Sequence, residues 1–322
     1  KKMNKIENSQ KDLFNLFNQI SSNFRDLPLV FDVGARNGFA LLPEWYTQNS
    51  ELIGFEPHLK ELEKLKNNTT DANKLNLKFP SFLKKNYFGE VVWNTEGYVN
   101  FHETIAPARS CVDLKYKDQF KKFFINNIPV VEPIKESKVI KKKSITIDGF
   151  LYDRIIDFLK VDVEGGEKFV LEGATRKLKK KEVLCIKSEF MTHALYEYSS
   201  IISQQQSFLN NMGYRLVDIT HEQPRYTRGN KYDFPNDKRL MLAGDLIFIL
   251  DPDLNSIDKE TKARLGFIMI GLNYKEFGFS LINESNLFTK NEILKIERYL
   301  KIVSLKRKLY EAYLSFPKKI FR

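Results

Sequence analysis

Between residues 29 and 250 of the 322-residue chain, short apolar runs of strand length alternate with stretches that repeat every three to four residues. Parallel strands need crossover connections, and helices supply them, so this alternation implies a mainly parallel sheet covered by helices on both faces. "LPLVFDVGARNGFA" gives a strand, a glycine-containing turn and helix-compatible residues. "SELIGFEPH" gives a second strand, followed by a helix with Leu59, Leu62 and Leu65 on one face. "EVVWNTEGYVNFHET" reads as two strands around a turn at Glu96-Gly97, the first of them the third strand of the sheet. "KSITIDGFLYDRIIDFLKVDVEGGEKFVLEGATRKL" supplies a strand, a short helix, a strand and a helix, and "VLCIKSEF" a further buried strand. "IISQQQSFLNNMGYRLVDI" is a helix stopped at Gly213 and leading into a strand, and "GDLIFIL" is the last strand.

Leu13, Phe14, Phe17, Ile20 and Phe24 recur at helical spacing ahead of the first strand. From Asp251 onward the pattern is helical only, with Ile293, Ile296, Leu300 and Val303 on one face. Three regions follow: an N-terminal helical segment (1–28), an α/β domain (29–250) and a basic helical extension (251–322). Residues 115–143 read as a long polar insertion, a surface loop or lid.

No apolar run approaches the roughly 18 residues of a membrane span, and the N-terminus lacks the apolar core of a signal peptide. The 2 cysteines, Cys111 and Cys185, lie far apart outside any C-x-x-C, which argues against a disulfide framework or zinc site and for a reducing cytoplasm. The net charge of +11 favours phosphate-rich or anionic partners, although the lysines are dispersed.

In doubly wound sheets ligands sit beyond the carboxyl ends of the strands, so the residues there carry the argument. In "FDVGARNG" Gly34 and Gly38 flank a turn, with Ala35 and Asn37 between them, that lets a ligand approach the backbone. It is not the G-x-G-x-x-G of a dinucleotide site, and Asp32 at the strand tip suits a cationic ligand. In "IGFEPH" Glu56 lies about twenty residues beyond the turn, where an acid chelates both ribose hydroxyls, and Pro57 fixes the chain after it. A glycine turn plus a ribose-binding acid without a pyrophosphate loop points to S-adenosylmethionine. In "FLKVDVEGGEKFVLEGA", Glu164 and Glu167 can complement the dipole of the next helix, worth about 0.3–1 kcal/mol each. That reading suits Glu167; Asp162, at the strand tip, is left for chemistry, on the same strand face as Lys160. In "CIKSEFMTH" Glu189 closes a strand and His193 follows on the same rim.

"FDVGARNG", "GFEPH", "SITIDGFL" and "FLKVDVEGGEKFVLEGA", in that order and spacing, resemble the FkbM family of S-adenosylmethionine-dependent methyltransferases over about residues 29–250. The resemblance implies a Rossmann-like seven-stranded mainly parallel sheet of the class I methyltransferase type, with "GDLIFIL" antiparallel, followed here by the C-terminal helical appendage. It also implies O-methylation of a hydroxyl on a sugar, glycan or related small molecule. By that reading Asp32, Gly34 and Gly38 hold the methionine end of the cofactor, Glu56 the ribose, and Trp93 packs near the adenine. Asp162 is the first candidate for base or substrate orienter and His193 the second, with Glu164 and Glu189 on the same rim. Asp162 and Glu189 end adjacent strands and could share a Mg²⁺ ion, a hard cation suited to oxygen ligands. Residues 221–239 and the 115–143 insertion are the expected acceptor pocket.

Two alternatives stay open. Lys160, Asp162, Lys187 and Glu189 supply the letters of an RNA 2′-O-methyltransferase set, against which stands the lack of an aromatic-rich basic stripe for single strands. The basic helical tail could instead dock on the inner face of a membrane, on a partner or on a second copy, with the sheet as a non-catalytic scaffold.

Overall fold

The computed structural model describes residues 15–315 except 76, 78, 105–106, 113–121, 126–127, 130–136, 151–152, 195–198, 221–224 and 229–238. Leu13, Phe14 and most of the two segments expected to form the acceptor pocket lie outside the described residues. The chain forms two compact units, one of residues 28–40 and 50–256, the other gathering the described residues of 1–27, 41–49 and 257–322.

The first unit is built on a sheet of β1 (Leu29–Val33), β2 (Glu51–Phe55), β3 (Lys84–Phe88), β4 (Ile156–Val161), β5 (Val183–Met191), β6 (Tyr214–Thr220) and β7 (Ala243–Leu250). The order is β3-β2-β1-β4-β5-β7-β6, with β7 antiparallel to both neighbours, as expected from the sequence. β1 is buried throughout, as a strand covered on both faces must be. Asp157 is a buried carboxylate in the middle of this core, and it accepts the Leu29 amide at 2.8 Å.

Beside the sheet lie α1 (Leu59–Lys66), α2 (Asp71–Lys74), α3 (Ile147–Phe150), α4 (Glu167–Glu172), α5 (Thr175–Lys179) and α6 (Ile202–Asn210). On α1, Leu62 and Leu65 are buried but Leu59 is 54% exposed. Two steps of three residues rotate through about 120° of a 3.6-residue helix, which carries the first leucine off the buried face.

The third strand corrects the sequence reading. β3 is "KKNYF", a polar edge strand paired only with β2, so it shows no apolar run. Val91–Val92 belongs instead to a second, four-stranded sheet. There Val91–Val92 and Gly97–Thr104 do not pair with each other; they flank Ser137–Ile145 on opposite sides, and Cys111–Val112 completes the sheet. Part of the supposed polar insertion is therefore strand. A third small sheet joins Phe123–Ile125, Ile128–Pro129, Arg225–Arg228 and Leu240–Met241.

The "TIDGF" and "LEGA" motifs lock to each other. Asp148 accepts the amides of Arg176 at 2.7 Å and Lys177 at 3.0 Å, capping α5 from outside the helix. Its own amide donates to Gly173 O at 2.9 Å.

In the helical unit Asp258 caps α7 (Lys259–Gly271), which is followed by α8 (Lys275–Ser285) and α9 (Lys290–Ser315). Phe17 packs against Tyr46 and Phe267, each with ring centroids 4.9 Å away. Arg264, almost fully buried, is satisfied by Asp26 O at 3.1 Å and Glu260 Oε1 at 2.9 Å. On α9 Ile296 and Leu300 are buried. No helix among the described residues is long and apolar enough to cross a membrane.

A side chain at Gly173 would place its Cβ 2.1 Å from the Trp93 carbonyl oxygen. Gly173→Ala is expected to destabilise the protein by about 1–3 kcal/mol, read as a lower urea midpoint at unchanged slope.

Candidate active site

The chain runs from β1 outward to β3, then crosses back to β4, so the crevice of the sheet opens over the ends of β1 and β4. Backbone bonds lace the strand ends there: Gly34 and Ala35 donate to Phe55 O at 3.0 and 2.9 Å, and Asp162 donates to Val33 O at 3.0 Å. Gly34 has φ +81°, and a Cβ on it would lie 1.8 Å from Asp162 O, so both the backbone conformation and the close approach require glycine.

Lys160, on β4, points into this junction. Its Nζ lies 3.1 Å from Asp32 Oδ1 and 3.4 Å from Asp162 Oδ2, and it donates to Gly34 O at 2.9 Å. Burial pushes Asp32 above the usual carboxylate range against the opposing pull of Lys160. Burial works against the Lys160 charge as well, but Asp32 and Asp162 outweigh it and raise that group.

A cleft of about 240 Å³ opens above the junction. It is lined by Gly34, Arg36, Asn37, Glu56, Pro57, Trp93, Asp162 and Glu164, together with Glu90, Val91, Val92, Phe101, Cys111 and Val112. Glu56 is buried and accepts the His58 amide at 2.8 Å. Burial raises its pKa to about 7, the His58 amide opposing and Glu61 adding. Asn37 and Glu164 adopt left-handed φ of 69° and 57°, and Asn37 Oδ1 is buried with no partner among the described residues. Glu167 turns back from the first turn of α4 to accept the amides of Val163 at 3.1 Å and Gly165 at 3.0 Å. Burial raises it to about 7 against those bonds, with Asp162 adding. It thus pins the Asp162–Gly166 loop more than it complements a dipole. Trp93 stacks on Phe169 with centroids 4.7 Å apart.

None of the remaining predicted site residues lines this cleft. Asp32 is sealed beneath the cleft, and Ala35 is buried; neither lines it. Gly38 borders a separate recess with Phe39, Phe82 and Tyr87. Glu189, paired in register with Asp245, is pushed well above the usual range by burial and by Glu164, Asp162, Glu167 and Asp245. His193 is exposed and sits by the third small sheet, its Nε2 2.9 Å from the Tyr226 hydroxyl. Mg²⁺ finds no support: Asp162 is met by Lys160, and no group of three or more His, Cys, Asp or Glu among the described residues is placed to hold a metal.

Sequence reasoning missed Arg36, held by Glu61 at 3.2 Å and Asp71 at 3.5 Å, and the wall contributed by Phe101, Cys111 and Val112. It saw Lys160 as a neighbour of Asp162 on one strand face and as one letter of the RNA-type set, not as the partner of Asp32. Lys160 and Lys187 are indeed neighbours in register, but Lys187 is taken by Asp245 at 2.7 Å.

The strand order with its reversed β7 is the seven-stranded, mainly parallel sheet that the sequence resemblance implies. A family model described as the methyltransferase FkbM domain matches residues 32–216, and the chain belongs to that family. Among solved structures it is similar to a methyltransferase FkbM from Methylobacillus flagellatus KT, at 14% identity and a TM-score of 0.38. That match covers 71% of this chain and 45% of the other, so the chain spans less than half the length of that relative. It is also similar to magnesium protoporphyrin IX methyltransferase (ChlM) from Synechocystis PCC 6803 with bound SAM, at 7% identity and a TM-score of 0.32, covering 75% and 79% of the two chains. Among curated proteins none matches.

The lining of the cleft fits the S-adenosylmethionine that the sequence resemblance implies. Glu56, Glu90, Asp162 and Glu164 suit a ligand with a sulfonium and an ammonium, and the unpartnered Asn37 Oδ1 awaits a donor.

Because Glu56 and Glu167 are raised to about 7, the native state holds protons that the unfolded chain releases near 4.5. Their contribution to stability is full below about pH 4.5 and is lost as pH rises through about 7. Glu56→Gln should flatten this fall by up to about 3 kcal/mol, measured as urea midpoints from pH 4.5 to 8.

Proposed function

We propose that the chain is an O-methyltransferase that transfers the methyl group of S-adenosylmethionine to a hydroxyl of a sugar, glycan or related small molecule, on the cytoplasmic side. The observation that carries this reading is one cleft holding both the glycine turn with Glu56 and the half-exposed carboxylate of Asp162. Gly34 and Asn37 would hold the methionine end, Glu56 the ribose hydroxyls, and Val91, Val92 and Trp93 the adenine side. Asp32 acts from beneath through Lys160 and so serves as a positioning residue. When bound, the cofactor supplies a methyl group already electrophilic on its sulfonium.

The chain must then orient a hydroxyl, exclude water and receive a proton. Asp162 has 40% of its side chain exposed, enough to meet an acceptor, and Lys160 at 3.4 Å fixes its direction. It takes the hydroxyl proton as the oxygen attacks, a role worth about 10²–10⁴-fold in rate. Val91, Val92, Phe101 and Val112 line the cleft with apolar surface that limits water.

Glu56→Ala is expected to abolish S-adenosylmethionine binding in calorimetry while the far-ultraviolet circular dichroism stays native; unchanged affinity would remove Glu56 from the ribose role. Asp162→Asn should keep cofactor affinity within a few-fold yet lose about 10²–10⁴ in methyl transfer. Full activity in that variant would take the proton-accepting role from Asp162. The acceptor itself is read by comparing cellular glycans and lipid-linked sugars with and without the gene for a one-methylene mass difference.

A further inference from the structure

The hairpin of Gly97–Thr104 with Ser137–Ile145 has two different faces. Directly opposed residues share a face, so Val99, Phe101 and Glu103 lie with Lys142, Ile140 and Lys138. Phe101, on this side, is buried and walls the cofactor cleft. The opposite face carries Tyr98 across from Lys143, Asn100 across from Lys141, and His102 across from Val139.

That outer face combines charge with apolar surface. Tyr98 is 68% exposed and Val139 54% exposed, although both are residues a strand normally half-buries. Lys141 is exposed, makes no ion pair among the described residues, and holds its Nζ 5.3 Å from the centre of the Tyr98 ring. Among the described residues Lys143 has only a long contact, to Glu90 at 3.8 Å, in an exposed position where such a pair contributes little.

We propose that this face docks on an anionic phospholipid surface, with Lys141 and Lys143 against lipid phosphates and Tyr98 and Val139 at headgroup depth. Lysines beside an anionic leaflet are attracted within a Debye length, and a tyrosine places its ring and hydroxyl where the bilayer changes from apolar to wet. The net charge of +11 gives the whole chain the same preference. RNA fits less well. Single strands are held by successive bases on open aromatic faces, whereas this face offers one tyrosine, and Lys141 already occupies its ring. Because the opposite face of the same strand pair walls the cleft, docking would hold the cleft one sheet thickness from the bilayer surface, on the side turned away from it.

The test is co-sedimentation of the full chain with phosphatidylcholine vesicles, with and without phosphatidylglycerol. Binding is expected only with phosphatidylglycerol and should weaken as salt rises from low to high ionic strength. Lys141→Glu, at a residue that touches nothing in the cleft, should weaken it about tenfold or more, while S-adenosylmethionine affinity and thermal midpoint stay unchanged. Val139→Asp, at an exposed strand position, should weaken it through a different chemistry. Equal binding to neutral vesicles, no binding to anionic ones, or undiminished binding by these variants would overturn the proposal. So would displacement from the vesicles by single-stranded RNA that loses its affinity in the same variants.

Discussion

One ammonium group holds the working end of this fold together. Lys160 rises from β4 beneath the cleft and meets a carboxylate from β1, a carbonyl from the glycine turn and a carboxylate from its own strand end. Asp32 is fully buried, and an isolated carboxylate there would cost several kcal/mol. The ion pair offsets that cost only while β1 and β4 keep their register, in which Asp32 faces Lys160 directly. The same contact fixes the Gly34 carbonyl and the direction of Asp162, so the cofactor turn and the proposed base share one anchor.

The carboxylates around this anchor divide by what meets them. Asp32 is met by Lys160, and Glu167 by two backbone amides that set the loop in front of α4. Glu56 keeps one amide bond and faces the cleft, where burial raises it to about 7. Asp162 alone in this group is substantially open to solvent on its side chain. An acidic cleft inside a chain of net charge +11 is a local environment built for a cationic ligand. The basic surface outside it answers to other partners.

The elements and motifs were legible where local chemistry dictated them. Apolar runs buried on both faces showed as β1, β4, β5 and β7, and Gly213, with φ +84°, did end the helix before β6. β3 was missed because an edge strand needs no apolar run, and "KKNYF" has lysines where a central strand has valines. Trp93 was placed after the wrong strand, yet it does line the cleft, because Val91–Val92 pairs with Ser137–Ile145 some fifty residues away. His193 looked like a rim residue by spacing alone; its contact with Tyr226 comes from a small sheet that no local pattern announces.

The sequence by itself determined the central strands, the helices between them and the chemistry at their tips, because periodicity and turn residues act over a few neighbours. It also determined that Asp162 and Lys160 share a face, since strands alternate every two residues. Only the tertiary structure decided which tips meet. Lys160 became an anchor, Asp32 a buried support and the hairpin of residues 97–104 and 137–145 a cleft wall through hydrogen bonds and ion pairs between segments far apart in the chain. Such pairings depend on strand order and register across the whole sheet, which no local stretch of sequence encodes.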